Sequence, residues 1–121
     1  MTDWPKMINE LSPHLRDLRQ ATPEVMKAFA AVSQAALAPK ALDTKTKELI
    51  ALAIAVAIRC DDCIAFHTKS ALQQGASREE VTEALGMAIY MGAGPAVMYA
   101  SHALDAFEQF DRSAKLDTCA A

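Results

Sequence analysis

Little in this sequence favours strands, a membrane or nucleic acid. Of 121 residues only four are Gly and five are Pro, so long segments run uninterrupted and helices are favoured over short strands and turns. Aromatic residues make up 6% of the chain and no Lys/Arg stripe interleaves with them, which excludes nucleic acid as an expected partner. The longest apolar run, Leu49 to Ile58, is too short to cross a bilayer. The opening Met1-Thr2-Asp3-Trp4-Pro5-Lys6 has no apolar core of a secretion signal. These absences point to a soluble, cytoplasmic chain without a membrane partner.

What is present is alanine-rich and helix-forming. Apolar residues account for 52% of the chain and the net charge is −3 with the signs mixed, so residues 1–121 read as one domain with one core. Capping and stop signals predict an all-α fold of six helices. The first spans about Lys6 to Gln20, with Ser12 before Pro13 able to cap a restart. Thr22-Pro23 opens the second, whose Val25, Met26, Phe29, Val32 and Ala36 form a helical stripe up to Leu37. Asp43-Thr44 opens the third, and its LIALAIAVAI run, apolar all round, predicts a helix enclosed by other protein. The fourth starts at Cys60-Asp61 and stops at Gly75. Ser77 and Glu80 form a capping box for the fifth, which ends at Gly92-Ala93-Gly94; Pro95 begins the sixth, fading after Phe110. The third and sixth helices are rich in small residues that bury little area each, so a monomer would have a thin core and oligomerisation is expected. Met87, Met91 and Met98 fit either an interface or the core.

The stretch RCDDCIAFHT, residues 59–68, concentrates the chemistry. Cys60 stands at a helix mouth and Cys63 in the first turn, where the helix dipole favours a thiolate. The two are within disulfide reach, and His67 lies one turn beyond Cys63 on the same face, placed to take its proton. Asp61 and Asp62 suit the dipole but oppose a thiolate by their charge. A zinc site would need a fourth ligand, and the next candidates, His102 and Cys119, are remote. A pair of reduced core cysteines is the bland alternative; dithiol redox chemistry is the sharper one. His14 and His102 read as ordinary histidines and Cys119 as a tail thiol.

Glu48 completes a pattern, Glu-x11-Cys-x2-Cys-x3-His, formed with Cys60, Cys63 and His67. With KTKELIALAIAVAIRC, the GASREEV turn and the MGAGPAVMYASHALDAF ending, it resembles the carboxymuconolactone decarboxylase superfamily, in its alkyl hydroperoxidase D-like branch, over about residues 37–110. The resemblance implies an all-helical fold, homotrimers or homohexamers, no metal or organic cofactor, and reduction of a small hydroperoxide at the expense of a dithiol or protein reductant. It also implies the roles: Cys63 attacks the peroxide, Cys60 resolves, His67 acts as base and Glu48 completes the proton relay. Family members best known for this chemistry carry a His just before the second Cys; here that position is Asp62, so one relay contributor is absent. Lactone decarboxylases of the superfamily lack the Cys pair, which argues against that lyase reaction; a non-catalytic helical assembly module is the rival from another class. In one straight helix Glu48 would lie ~18 Å from Cys60. An antiparallel fourth helix would instead bring His67 down to within about a turn of it, near enough for a water bridge.

Overall fold

The computed structural model describes residues 1–120, with no side-chain description at 119 and 120, so the Cys119 thiol lies outside the described residues. Five helices follow one another: α1 (Trp4–Ala21), α2 (Pro23–Leu37), α3 (Thr44–Ala57), α4 (Asp61–Gln73) and α5 (Arg78–Ala120). No strand occurs among the described residues, so the chain is all-α. No helix among them is long and apolar enough to cross a membrane.

Two of the expected boundaries move. The predicted break at Ser12-Pro13 is absent: α1 runs through Pro13, and the Ser12 hydroxyl donates to the Ile8 carbonyl one turn back instead of capping a new start. The fifth and sixth predicted helices follow one another as a single element, but Ala93, at φ 55° and ψ −140°, kinks α5 into two arms at the Gly92-Ala93-Gly94 signal. The second arm does not fade at Phe110; it extends as helix to Ala120. Thr22 stands before Pro23 at the start of α2, but its hydroxyl, expected to cap the helix, makes no capping bond; the signals at Asp43 and Ser77 act as read. Asp43 accepts from the Thr46 amide at 2.7 Å to open α3. Ser77 and Glu80 exchange bonds at 2.9 and 3.1 Å as a capping box. Lys45 closes on Glu80 at 2.8 Å. That contact holds the Glu80 carboxyl below its ordinary value and the Lys45 ammonium above its own. The pair thus favours the fold above Glu80's ordinary value and loses that share as acid titrates the lowered carboxyl; on this exposed surface the share is small.

The core lies where α3, α4 and both arms of α5 meet. Leu52 and Val56 from α3, Ile64 and Ala65 from α4, and Val81, Ala103 and Ala106 from α5 are fully buried. Alanine at 100, 103 and 106 lets the second arm approach α3 and α4 closely. α1 closes one side through Trp4, whose indole Nε1–H donates to Asp105 at 3.1 Å while its backbone N–H donates to Gln109 at 2.9 Å.

One expectation about burial is corrected, and a second apolar face is found exposed. α3 is not enclosed on all sides: Ile50, Ile54 and Ile58 line an open face, Ile54 being 53% exposed. α2 buries no residue, packs only against α1 and α3, and turns Val25, Phe29 and Val32 outward, Phe29 at 62%. Met87, Met91 and Met98 are also outside the core of the single chain, with Met91 77% exposed. Apolar periodicity marks which faces avoid water, and the covering element need not belong to the same chain.

Two turns show where backbone geometry constrains side chains. Gly75 (φ 87°) and Arg59 (φ 60°) each occupy the left-handed position after a helix. Behind each, paired bonds close the turn: Ala76 to Ala71 and Gly75 to Leu72 in one, Cys60 to Ala55 and Arg59 to Val56 in the other. Arg59 holds that conformation at a cost a glycine would not carry. At Gly92 a Cβ would stand 2.8 Å from the Ala96 Cβ across the kink. In urea unfolding at fixed protein concentration, Gly92→Ala should destabilise by about 1–3 kcal/mol. Arg59→Gly should raise stability by roughly 0.5–1 kcal/mol. Equal midpoints for Gly92→Ala and the parent would show that the kink opens without cost.

Candidate functional site

The α3–α4 turn builds the site. Cys60 ends the left-handed turn after α3 and simultaneously caps α4, its Sγ accepting the Cys63 amide at 3.2 Å. One residue thus serves as the end of one helix and the start of the next. Cys60 and Cys63 are joined as a disulfide with their Cα atoms 5.2 Å apart. Both are half-buried, and Cys63 packs against the core.

The same turn reverses the chain, so α4 runs back along α3. Glu48 shares the inward face of α3 with Leu52, Ala55 and Val56, and it is 4% exposed. His67 reaches it from α4: Nδ1 lies 2.7 Å from Glu48 Oε2. Contact is direct and within one chain, closer than the water bridge the sequence suggested. A carboxylate can only accept, so Nδ1 carries the hydrogen, and in the neutral ring Nε2 keeps its lone pair. The His67 side chain is 33% exposed, so the ring is anchored on its inner side and reachable from outside. Positions 63 and 67 stand one turn apart on α4 and face the same way.

All four residues singled out in the sequence therefore belong to one α3–α4 hairpin, as two linked pairs, Cys60 with Cys63 and Glu48 with His67. The remaining histidines lie elsewhere. His102 is exposed on the second arm of α5, tilted against Tyr99 at 5.6 Å. His14, read as ordinary, joins Asp62 in lining an open groove of about 600 Å³ between α1 and the mouth of α4. No spacing signal links residues so far apart; only the docking of α1 brings them together. Among the described residues no three His, Cys, Asp or Glu side chains are grouped to hold a metal ion. The chemistry this arrangement can perform is thiol–disulfide interconversion beside an oriented imidazole.

The sequence profile of the carboxymuconolactone decarboxylase family matches residues 23–106. An uncharacterised protein of Cupriavidus necator is 45% identical over 107 residues, 88% of this chain and 95% of its own length. Among solved structures, the apo form of a carboxymuconolactone decarboxylase family protein from Legionella pneumophila is similar, with TM-score 0.87 and 48% identity over 88% of this chain and 96% of that one. A Thermotoga maritima protein of the same family, with a suggested part in the antioxidative response, follows at TM-score 0.82 and 32% identity, covering 92% and 95% of the two chains.

The tautomer of His67 can be read directly. Long-range proton–nitrogen spectra of the neutral ring should show the hydrogen on Nδ1, and Glu48→Ala should abolish that preference. The same variant should destabilise the protein by about 1–3 kcal/mol, because an inward ring nitrogen loses its acceptor. A neutral His67 protonated on Nε2 in the parent protein would overturn the assignment.

Proposed function

The chain belongs to the carboxymuconolactone decarboxylase family, and from that membership and its linked Cys pair beside His67 we propose that it is a thiol-dependent peroxidase. The observation that carries this reading is the disulfide-linked Cys60–Cys63 pair on the helix whose next turn holds an imidazole fixed by a buried carboxylate. A suggested antioxidative role for the Thermotoga maritima relative agrees with it.

In the proposed cycle the reduced Cys63 thiolate attacks a hydroperoxide oxygen. The S–O bond forms as the O–O bond breaks, and the alcohol leaves with a proton. His67 has taken the Cys63 proton at Nε2 and returns it to the leaving oxygen; Glu48 holds the ring and supports its positive charge. Cys60 then attacks the Cys63 sulfenic sulfur, water leaves, and the disulfide forms. Two external thiols, or one dithiol, supply the two electrons that restore the Cys pair and leave as a disulfide. Asp62, where better-known peroxidases of this branch have a histidine, contributes no second base.

A second assignment has a specific observation behind it. The Cys63 amide points at Cys60 Sγ, 3.2 Å away, and would stabilise negative charge on that sulfur, favouring Cys60 as the attacking thiolate. Single turnovers with stoichiometric peroxide separate the two. With Cys63 attacking, Cys60→Ser consumes one equivalent and stops as a sulfenic acid, whereas Cys63→Ser is inert; the swapped result assigns the attack to Cys60. His67→Gln should slow attack at neutral pH by about a hundredfold, with much of the rate recovered at higher pH, and Glu48→Gln should do less in the same direction. Loss of no thiol in the parent protein on stoichiometric peroxide would overturn the peroxidase reading.

The active form in this proposal is a homo-oligomer. The open faces carrying Phe29, Ile54 and Met91 are what a second copy would cover, and a small domain built on alanine contacts gains from that burial. Light scattering at micromolar concentration should give a mass above the 13.0 kDa chain, and Phe29→Glu with Ile54→Glu should lower it. A stable monomer in the parent protein would overturn this part.

A further inference from the structure

The two residues enclosed by the cysteines, Asp61 and Asp62, are exposed on the first turn of α4. Neither makes a side-chain hydrogen bond or ion pair among the described residues, so only the N-terminal dipole of α4 offsets their charge in part. Their immediate surroundings add to it on one side. Asp62 lines the groove toward α1 together with Asp3 and Glu10, and the one lysine there, Lys6, is turned to Glu10 at 3.7 Å. His14 stands in the same groove. On the other side Arg59 precedes Cys60, exposed and held in the left-handed conformation, and supplies a single positive charge. The two cysteines thus bracket two exposed aspartates without a side-chain partner, against the single charge of Arg59 beside them.

We infer that Asp61 and Asp62 select the electron donor of the dithiol cycle, admitting thiols that are neutral or cationic near the sulfur and slowing those that carry a carboxylate. The inference rests on the redox reading above. Its physical basis is that the donor reacts as an anion. A donor thiolate attacks one cysteine sulfur, an S–S bond to the donor forms as the Cys60–Cys63 bond breaks, and one cysteine leaves as thiolate. A second donor thiolate then attacks the donor's sulfur in the mixed disulfide, releasing the other cysteine and a donor disulfide. Two donor thiols are oxidised, the protein disulfide is reduced, and the two protons end on the cysteines. In both steps a negative sulfur must come close to Asp61 and Asp62. A donor ammonium offsets that repulsion and a donor carboxylate doubles it. At the exposed surface such steering acts on the approach rate and falls as salt rises.

Three small probe thiols test this: cysteamine, 2-mercaptoethanol and 3-mercaptopropionate. The rate of reduction of Cys60–Cys63 by each is divided by the rate of the same thiol with 2-hydroxyethyl disulfide, which removes differences in intrinsic nucleophilicity. At low ionic strength the normalised rates should fall in the order given, spanning about tenfold or more. In Asp61→Asn with Asp62→Asn the span should shrink severalfold, mainly through faster reaction of 3-mercaptopropionate. Arg59→Gln should widen it. Half-molar salt on the unaltered protein should shrink it as the double variant does, a control that needs no change of sequence. An unchanged span in the double variant overturns the selection of donors and leaves the redox reading standing. A Cys60–Cys63 disulfide that none of the three thiols reduces overturns both.

Discussion

Everything distinctive here hangs on how the chain reverses between residues 55 and 63. The Cys60 amide reaches back to Ala55, Arg59 takes a left-handed conformation, and the Cys60 sulfur receives the amide of Cys63. A turn so short fixes the separation of α3 and α4 and their relative register. The register in turn decides that position 67 meets position 48 and no other, and that a buried carboxylate has an imidazole within hydrogen-bonding distance. Were α4 displaced by one residue, about 100° of helical rotation would carry His67 off that face and leave Glu48 buried without its partner. The disulfide and the Glu48–His67 contact lie at separate points of one hairpin, and both follow from its geometry.

How much of this was legible in the sequence depended on the range of the interaction. Caps are local, so Asp43, Ser77 with Glu80, and the stop at Gly75 could be read from neighbouring residues, and so could the cysteine pairing distance at a helix start. The hairpin entered only as the arrangement that would bring His67 to Glu48, and the family pattern added Glu48. Long-range facts were not available. The outward turn of Val25, Phe29 and Val32, and the open face of Ile50, Ile54 and Ile58, follow from what surrounds those helices, which periodicity does not encode. Likewise Pro13 looked like a break, yet its missing donor is tolerated where the helix is largely exposed and Ser12 bonds one turn back. The meeting of His14 with Asp62 depends on the docking of α1 and has no local signature.

The packing style also bears on the division of labour among elements. The core of α3, α4 and α5 uses many alanines, and these permit close helix approach while each contributes modest apolar area. Many larger apolar residues nevertheless stand on the outside of the single chain, along α2, the open face of α3 and both sides of the α5 kink. Stability is thus distributed between an interior that fixes geometry and an exterior suited to burial against another surface. The site belongs to the first of these, which keeps its hydrogen bonds independent of how the exterior is covered.

The fastening of Trp4 to Asp105 and Gln109 joins positions about a hundred residues apart in the chain. During synthesis the α3–α4 hairpin leaves the ribosome well before the second arm of α5 exists, and hairpins of this kind form from local contacts alone. The first helix, by contrast, is made earliest and waits longest for this fastening. For that interval its indole lacks Asp105 and its first amide lacks Gln109, while α2 and α4, which it also packs against, are already made. The nascent chain can therefore close its cysteine turn before α1 is fastened at its start. Order of emergence and order of docking run opposite ways for this one helix, and its arrival completes the surroundings of a site whose core was set long before.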